Sequence, residues 1–562
     1  MVDPTAAQLK IRDFDELGML IVAPAGCGKT ESLALRVAGQ LRRKDVAQPR
    51  RVLVATFSNR AKDNIKERLA SYLSPVAMRD RVTVTNFHGL SARIVRAHAA
   101  AVGVDPTWDL PESDWVLEQC RSLALSFDTA SEVREVIRLV KQKPLTDEEV
   151  AKELLASANP HAIEIEALRL AEKRFTYDDL PRIAELILRN ETIVELYRNH
   201  FAAVIVDEFQ DLTPQQLRII NRIGHGRTTY AGDLAQGIYG FAGASPNAVH
   251  AEIEKECGEK VVIAESHRSS PAVLSMVNSL AYRTGGTKLT SVDPAKWPSG
   301  GLAGQIGFDS TEDEAEWVLG FTRTILWSAP GHRVGVISRT GPRRRFIDAA
   351  FAASGIVHHR WDDGALDTDT ARTVKGMLAV LDPAEYRSAT DPLGVLRAVA
   401  GLHEIQDPTA RENLADALLW CDELLATGET PAAIRSRIRV GDDATLLTMP
   451  GAHLLTGHIG KGQQFDWVVV IGAEDGCIPD FRAEDDEEIE EEARVLGVML
   501  SRARHGAIAS HSRHVEAATT GIAYAKSPSR FLADLAGSEL GRDHAGIESW
   551  LQDVDWSKVS ET

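Results

Sequence analysis

Apolar residues in this chain occur either as short unbroken runs or at intervals of three and four. The unbroken runs include Ile21–Ala23, the start of a strand over Val52–Phe57, and Ala202–Val206, with a shorter alternation at Val82 and Val84. Continuous runs of this length, rich in Val and Ile and bounded by polar residues, predict strands buried on both faces, as in parallel sheets. Between them the helical spacing predicts helices over SLALRVAGQL after Thr30, the segment after Ser58 or Asn59, EDEAEWVLGFTRTIL, RRRFIDAAFAAS and TVKGMLAVLD. Further strands are expected over Arg227–Phe241, from Val261, over Arg333–Thr340 and across Leu454–Gly472, with helices over Glu491–Arg504 and SPSRFLADLAG. Strands alternating with helices predict an α/β architecture with parallel sheets.

Two stretches depart from that alternation. From Thr107 to Asn199 the spacing is almost wholly helical, broken by Pro144 and Pro160, and Pro383–Thr448 carries a shorter helical pattern with no strand signal. With 562 residues the chain exceeds what one core supports, so two sheet domains with helical insertions are expected. The boundaries read as 1–106 and 200–260 for the first sheet domain, 107–199 for its insertion, 261–382 and 449–541 for the second, 383–448 for its insertion, and 542–562 as a tail. No apolar run is long enough to cross a bilayer, and early acids at Asp3, Asp13, Asp15 and Glu16 do not suit a secretory signal. Five scattered cysteines lack metal-site spacing and fit a reducing, cytoplasmic setting. The net charge of −18 argues against coating nucleic acid by electrostatics alone, and much of it sits in Glu484–Glu492.

The chemistry centres on IVAPAGCGKT, Ile21–Thr30. A strand, a small-residue turn and a helix start bring free backbone N–H groups from Ala25, Gly26, Cys27, Gly28, Lys29 and Thr30 toward an anion. Lys29 would reach the β- and γ-phosphates of ATP and the Thr30 hydroxyl would sit on Mg²⁺. Ala23 occupies the first glycine position of the usual pattern. Asp207 and Glu208 end a buried strand on the same sheet edge, Asp207 suited to Mg²⁺ and Glu208 to polarising the attacking water. Gln210 and Gln236 follow the two strands expected to flank the nucleotide. Arg268 and Arg502 lie in the second α/β unit, where an arginine reaching across a cleft could neutralise the transferring phosphoryl group.

In that order the motifs resemble those of superfamily 1 DNA helicases of the UvrD/Rep/PcrA type, from Gln8 to Phe531. VATFSNRAKDNIKERL resembles the segment that sets a Phe against a base, here Phe57, with Asn59 beside it, and TNFHGL the next DNA-contacting segment, with His88. VDEFQD matches the Walker B signature, and GDLAQGIYGFAGA the third motif, with Gln236 as phosphate sensor and Tyr239 and Phe241 as base-stacking groups. ESHRSS supplies Arg268, LLTGHIGKGQQFDWVVVIG supplies His458, Gly462 and Gln464, EEARVLGVMLSRAR supplies Arg502, and Gln8 matches the adenine-reading glutamine.

The resemblance implies two RecA-like P-loop domains (1A and 2A) with mainly helical insertions (1B and a short 2B), binding ATP and Mg²⁺ between them and moving on single-stranded DNA, 3′ to 5′. Single-stranded DNA and single-strand/duplex junctions are the implied partners, gripped by stacking and phosphate contacts. Glu31 and His267 stand where relatives clamp adenine with Arg and Tyr, Gln464 replaces a Glu near the ribose, and Gly240 and Ala242 replace arginines beside the stacking aromatic. The short Pro383–Thr448 insertion raises a second reading, an ATPase subunit that unwinds with a nuclease or accessory partner. A third is a nucleotide-operated protein switch using the acidic segment.

Overall fold

The computed structural model describes residues 4–111, 115–123, 125–240, 243–361, 365–366, 368–389, 391–402, 414, 417–418, 421–422, 424–425, 429–440, 449–457, 463–516 and 522–562. Its segments group into two compact units. One joins Met1–Thr85, Arg198–Arg360 and Leu447–Thr562; the other joins Asn86–Tyr197 and Trp361–Leu446.

The first unit holds two sheets. Strands β1 (Met19–Val22), β2 (Arg51–Thr56), β3 (Val82–Asn86), β4 (Phe201–Asp207), β5 (Thr228–Gly232) and β6 (Lys260–Val262) form a six-stranded sheet in the order β3-β2-β4-β5-β1-β6. The pairings β2–β4, β4–β5, β5–β1 and β1–β6 are parallel, with Val22 opposite Gly232 and Asp207 opposite Ala231. Every residue of β1 and β4 is buried, as their unbroken apolar runs require. Helix α1 (Ala6–Asp13) packs on α2 (Lys29–Arg43), and α3 (Asn59–Ala70) follows β2 with the Ser58 side chain as its cap. The buried Arg36 of α2 donates to the carbonyls of Ile11, Phe14 and Glu16, which fixes where α1 ends.

Two features of this sheet differ from the sequence pattern. The strand expected over Arg227–Phe241 stops at Gly232, because the Asp233 side chain accepts the Ala235 N–H and winds the chain into a single 3₁₀ turn, Leu234–Gln236. Val261, where a second sheet was expected to start, lies in β6 on the first sheet, and its core also takes in Ile263, Leu274 and Leu289.

Short strands β7 (Glu265–Ser266) and β8 (Thr290–Ser291) pair between the sheets in sequence. The second sheet uses β9 (Leu302–Ser310), β10 (Arg333–Ser338) and β11 (His358–Arg360). After the brief β12 (Ala365–Leu366) and β13 (Arg439–Val440), which pair with each other in the second unit, it resumes with β14 (Gly451–Thr456), β15 (Phe465–Ile471), β16 (Ala503–Glu516) and β17 (Ala523–Ala525). The order is β11-β14-β10-β15-β16-β17, with β9 on β16. The segment after Gly541, expected to be a tail, forms helices His544–Asp553 and Trp556–Glu561, and its Ile547, Trp550, Leu551, Val554 and Val559 enter the core beside Trp467.

Helix α4 (Asp486–Leu500) starts within the acidic run rather than at Glu491, and ends before Arg502. Asp485 and Glu488 form a capping box, and three acids in the first turn face the positive end of the helix dipole, so part of the charge concentration is a helix start. Ala503 already belongs to β16, which leaves Arg502 at the junction.

The second unit is mainly helical, with one core around Val133, Ile137, Val150 and Ile165 and another around Val374, Leu396, Leu418 and Ile434. Buried Lys141, Arg169 and Arg182 interlock with Asp147, Glu166 and Asp179, for example Lys141–Asp179 at 3.0 Å. Among the described residues no helix is long and apolar enough to cross a membrane.

Candidate nucleotide site and aromatic pair

The loop from Ala23 to Gly28 leaves β1 and turns into α2 through two glycines with positive φ, Gly26 at +86° and Gly28 at +80°. Both are also hemmed in. A Cβ on Gly28 would lie 2.7 Å from Nε2 of Gln8, and one on Gly26 would lie 2.7 Å from Cβ of Arg268. Gln8 is buried on α1, where it completes a capping box by accepting the Thr5 N–H. Arg268 is held by its neighbours: the His267 N–H donates to the Gly26 carbonyl at 3.1 Å, and the Arg268 N–H to Oγ of Ser266 at 3.3 Å. This loop thus has a side chain from α1 over one glycine and an arginine from beyond β7 over the other. Burial lowers the Arg268 guanidinium to about 10, and its buried Nη1 has no hydrogen-bond partner among the described residues. The neighbouring Cys27 thiol is pushed up to about 12 by burial and is inert as a nucleophile.

Lys29 lies 3.3 Å from Asp207 and in direct contact with the Glu208 carboxylate. Burial pulls the ammonium down, but the two carboxylates more than offset it and the net shift is upward. Asp207 shifts upward, burial outweighing the help from Lys29. Glu208 sits at φ +59°, a left-handed conformation costly for a residue with a Cβ and characteristic of functional sites.

Gln210, fully buried, spans two of these groups. Its Nε2 donates to Glu208 at 2.6 Å and its Oε1 accepts the Asp233 N–H at 3.0 Å. Asp233 in turn accepts from Nε2 of Gln236 at 3.0 Å. A continuous chain therefore runs Glu208–Gln210–Asp233–Gln236. Asp233 was not singled out in the sequence, although an Asp after a strand and a Gly is a turn signal.

Arg502 is buried at the end of α4, donating to the Val498 carbonyl and to Oγ of Ser501. Burial, and then Arg268, lower it to about 9, while Glu208, Tyr239 and Asp233 oppose the fall. The charges that act on Arg502 are therefore those of the candidate site. Glu31 accepts from Arg68 at 3.1 Å and from the Tyr72 hydroxyl, so its carboxylate is neutralised from α3 rather than facing out unpaired.

Phe57, just past β2, stacks on Tyr239 with ring centroids 5.4 Å apart and planes 15° apart. His88 lies in the second unit, edge-on to Tyr177 at 5.6 Å, its pKa lowered by burial. Asn59 opens α3 and Gln464 is exposed just before β15. Phe241, His458 and Gly462 lie outside the described residues. For Mg²⁺, Thr30 in the first turn of α2 and Asp207 offer a hydroxyl and a carboxylate, hard oxygen donors of the kind that ion takes.

The chain matches the UvrD/REP helicase N-terminal domain over residues 5–256 and the UvrD-like helicase C-terminal domain over residues 436–513. It is 27% identical to the ATP-dependent DNA helicase UvrD2 of Mycobacterium tuberculosis (strain ATCC 25618 / H37Rv), covering 92% of this chain and 79% of the relative. It is 23% identical to the ATP-dependent DNA helicase PcrA of Staphylococcus aureus (strain NCTC 8325 / PS 47), covering 95% of this chain and 86% of that one.

Proposed function

We propose that this chain, which carries both UvrD-type helicase domains, is an ATP-dependent DNA helicase or translocase that hydrolyses ATP to ADP and phosphate with Mg²⁺ and moves 3′ to 5′ on single-stranded DNA. The observation that carries the reading is the approach of Arg268 to Gly26 on the phosphate loop that also presents Lys29. Lys29 and the first-turn amides of α2 bind the triphosphate. As Lys29 turns to the phosphates it leaves Glu208, freeing that carboxylate to take a proton from water. Thr30 and Asp207 would hold Mg²⁺, which would supply charge neutralisation to the phosphates. Arg268 and Arg502 supply positive charge from the far side, and their depressed pKa values still leave both charged at neutral pH.

The Glu208–Gln210–Asp233–Gln236 chain links this chemistry to the turn bearing Tyr239, which stacks on Phe57. Such a pair offers π faces to bases of any sequence. Steady-state ATP turnover with and without single-stranded DNA tests the reading, and absence of stimulation at low salt would overturn it. Lys29→Ala should abolish turnover, and Glu208→Gln should bind ATP without hydrolysing it. Preference for 3′-tailed over 5′-tailed duplexes in strand displacement tests polarity. The short second insertion favours the alternative of a subunit that needs a nuclease or accessory partner, which robust unwinding by the chain alone would exclude.

A further inference from the structure

Glu491 has no part in the phosphate chemistry, yet it reaches the turn that carries Tyr239. Its Oε1 accepts the backbone N–H of Gly240 at 3.0 Å. A Cβ on residue 240 would lie 2.1 Å from Oε2 of Glu491, so a side chain there would push this carboxylate away from its present seat on the turn. Three residues on, Nη2 of Arg494 donates to Oδ1 of Asn247, at the start of the helix Pro246–Glu256 that follows the same turn. Helix α4 is thus fastened twice, near its start and at its middle, to the segment after β5. Its other end leads directly into Arg502, whose guanidinium feels Glu208, Asp233 and Tyr239.

We infer that Glu491 is a positioning residue that ties the Tyr239–Gly240 turn to α4, so that displacement of the stacked Phe57–Tyr239 pair by a DNA base is transmitted along a rigid helix to Arg502. The inference rests on the helicase reading above. Helical rise puts Glu491 and the end of α4 about 14 Å apart, a span a helix carries without bending. A charge-assisted bond from a half-buried carboxylate to a backbone N–H is the strong kind, and no second protein donor to Glu491 is needed for it to hold the turn.

The test compares wild type, Glu491→Ala, Glu491→Gln and Gly240→Ala in steady-state ATP turnover with and without oligothymidylate, with oligonucleotide affinity by fluorescence anisotropy and thermal melting alongside. Glu491→Ala and Gly240→Ala should each cut the DNA stimulation of turnover at least about fivefold, the scale of losing one such bond. Turnover without DNA should stay within about twofold, since neither residue touches the phosphate loop. Glu491→Gln should retain most of the stimulation, since its amide oxygen still accepts the Gly240 N–H. Stimulation undiminished in Glu491→Ala, or Glu491→Gln as impaired as Glu491→Ala, overturns the inference and leaves the helicase reading standing. Wild type that ignores the oligonucleotide overturns both.

Discussion

The substitution Gln210→Glu exchanges an amide nitrogen for an oxygen and reverses the sense of one hydrogen bond. The new side chain keeps an oxygen to accept the Asp233 N–H, but the donor that faced Glu208 at 2.6 Å becomes a second carboxylate oxygen. Two unit charges at that separation, with an effective dielectric of about 20, repel by about 6 kcal/mol. Protonating an ordinary glutamate at pH 7 costs only about 4 kcal/mol. Proton uptake therefore wins, and at neutral pH the pair holds one shared proton and titrates as a unit. With the proton in place the bond to Glu208 survives, as O–H donating to carboxylate. When the pH rises and the proton leaves, repulsion drives Glu208 from its position. The variant should keep activity within several-fold of wild type at about pH 6 and lose it progressively toward about pH 9. The assay is steady-state ATP turnover across that range, wild type in parallel, with binding of a fluorescent ATP analogue measured at each pH. A variant-to-wild-type ratio that is flat throughout, with binding intact, would refute the coupling of Gln210 to Glu208.

Gly26→Ala puts a methyl group against Cβ of Arg268 at a left-handed backbone position, so it should lower stability by about 1–2 kcal/mol in thermal melts and abolish ATP turnover. Phe57→Ala together with Tyr239→Ala should weaken oligonucleotide binding about tenfold or more in anisotropy titrations while leaving the salt slope unchanged, because stacking rather than phosphate contact is lost. His505, stacked on Trp467 and His332, is lowered to about 3 by burial and by His332. Its folded pKa lies below the unfolded value near 6.5, so the unfolded chain binds a proton that the folded chain refuses, and stability is full above about pH 6.5 and falls toward about pH 3. Urea titrations across that window should show a shallower decline in His505→Phe, which keeps the stacking and cannot titrate.

The α/β architecture was legible because buried parallel strands write themselves as unbroken apolar runs, as at Ala202–Val206, and because Gly28–Lys29–Thr30 opens an amphipathic helix. What stayed illegible was set by side chains closing on the backbone. The strand after Arg227 reads as continuous until Asp233 folds back on Ala235, a local bond that hydrophobic spacing does not record. The last two helices carry their apolar residues sparsely, and only their seat beside Trp467 makes them core. At the candidate site, residue types and spacing announced Lys29, Asp207, Glu208, Gln210 and Gln236, whereas Asp233 reads as an ordinary turn residue until its bonds to Gln210 and Gln236 are seen. Glu491 sat inside an acidic run that reads as solvated charge, and its partner is a backbone N–H, which no side-chain pattern encodes.

The placement of the first insertion has a consequence for how the chain folds. Strand β3 ends where Asn86–Tyr197 begins, β4 starts where that segment returns, and β2 alone separates the two strands in the sheet. The strands that flank the insertion must therefore settle one strand apart before the middle of the sheet can zip. For a floppy loop of that length the closure entropy is about 4 kcal/mol, roughly twice that of a ten-residue connection. The helical insertion carries its own buried core and its own internal ion network, so it can condense from local contacts first and shorten the effective loop between β3 and β4. Weakening that core would then slow the birth of the sheet that carries the candidate nucleotide site, even though none of its residues belongs to it.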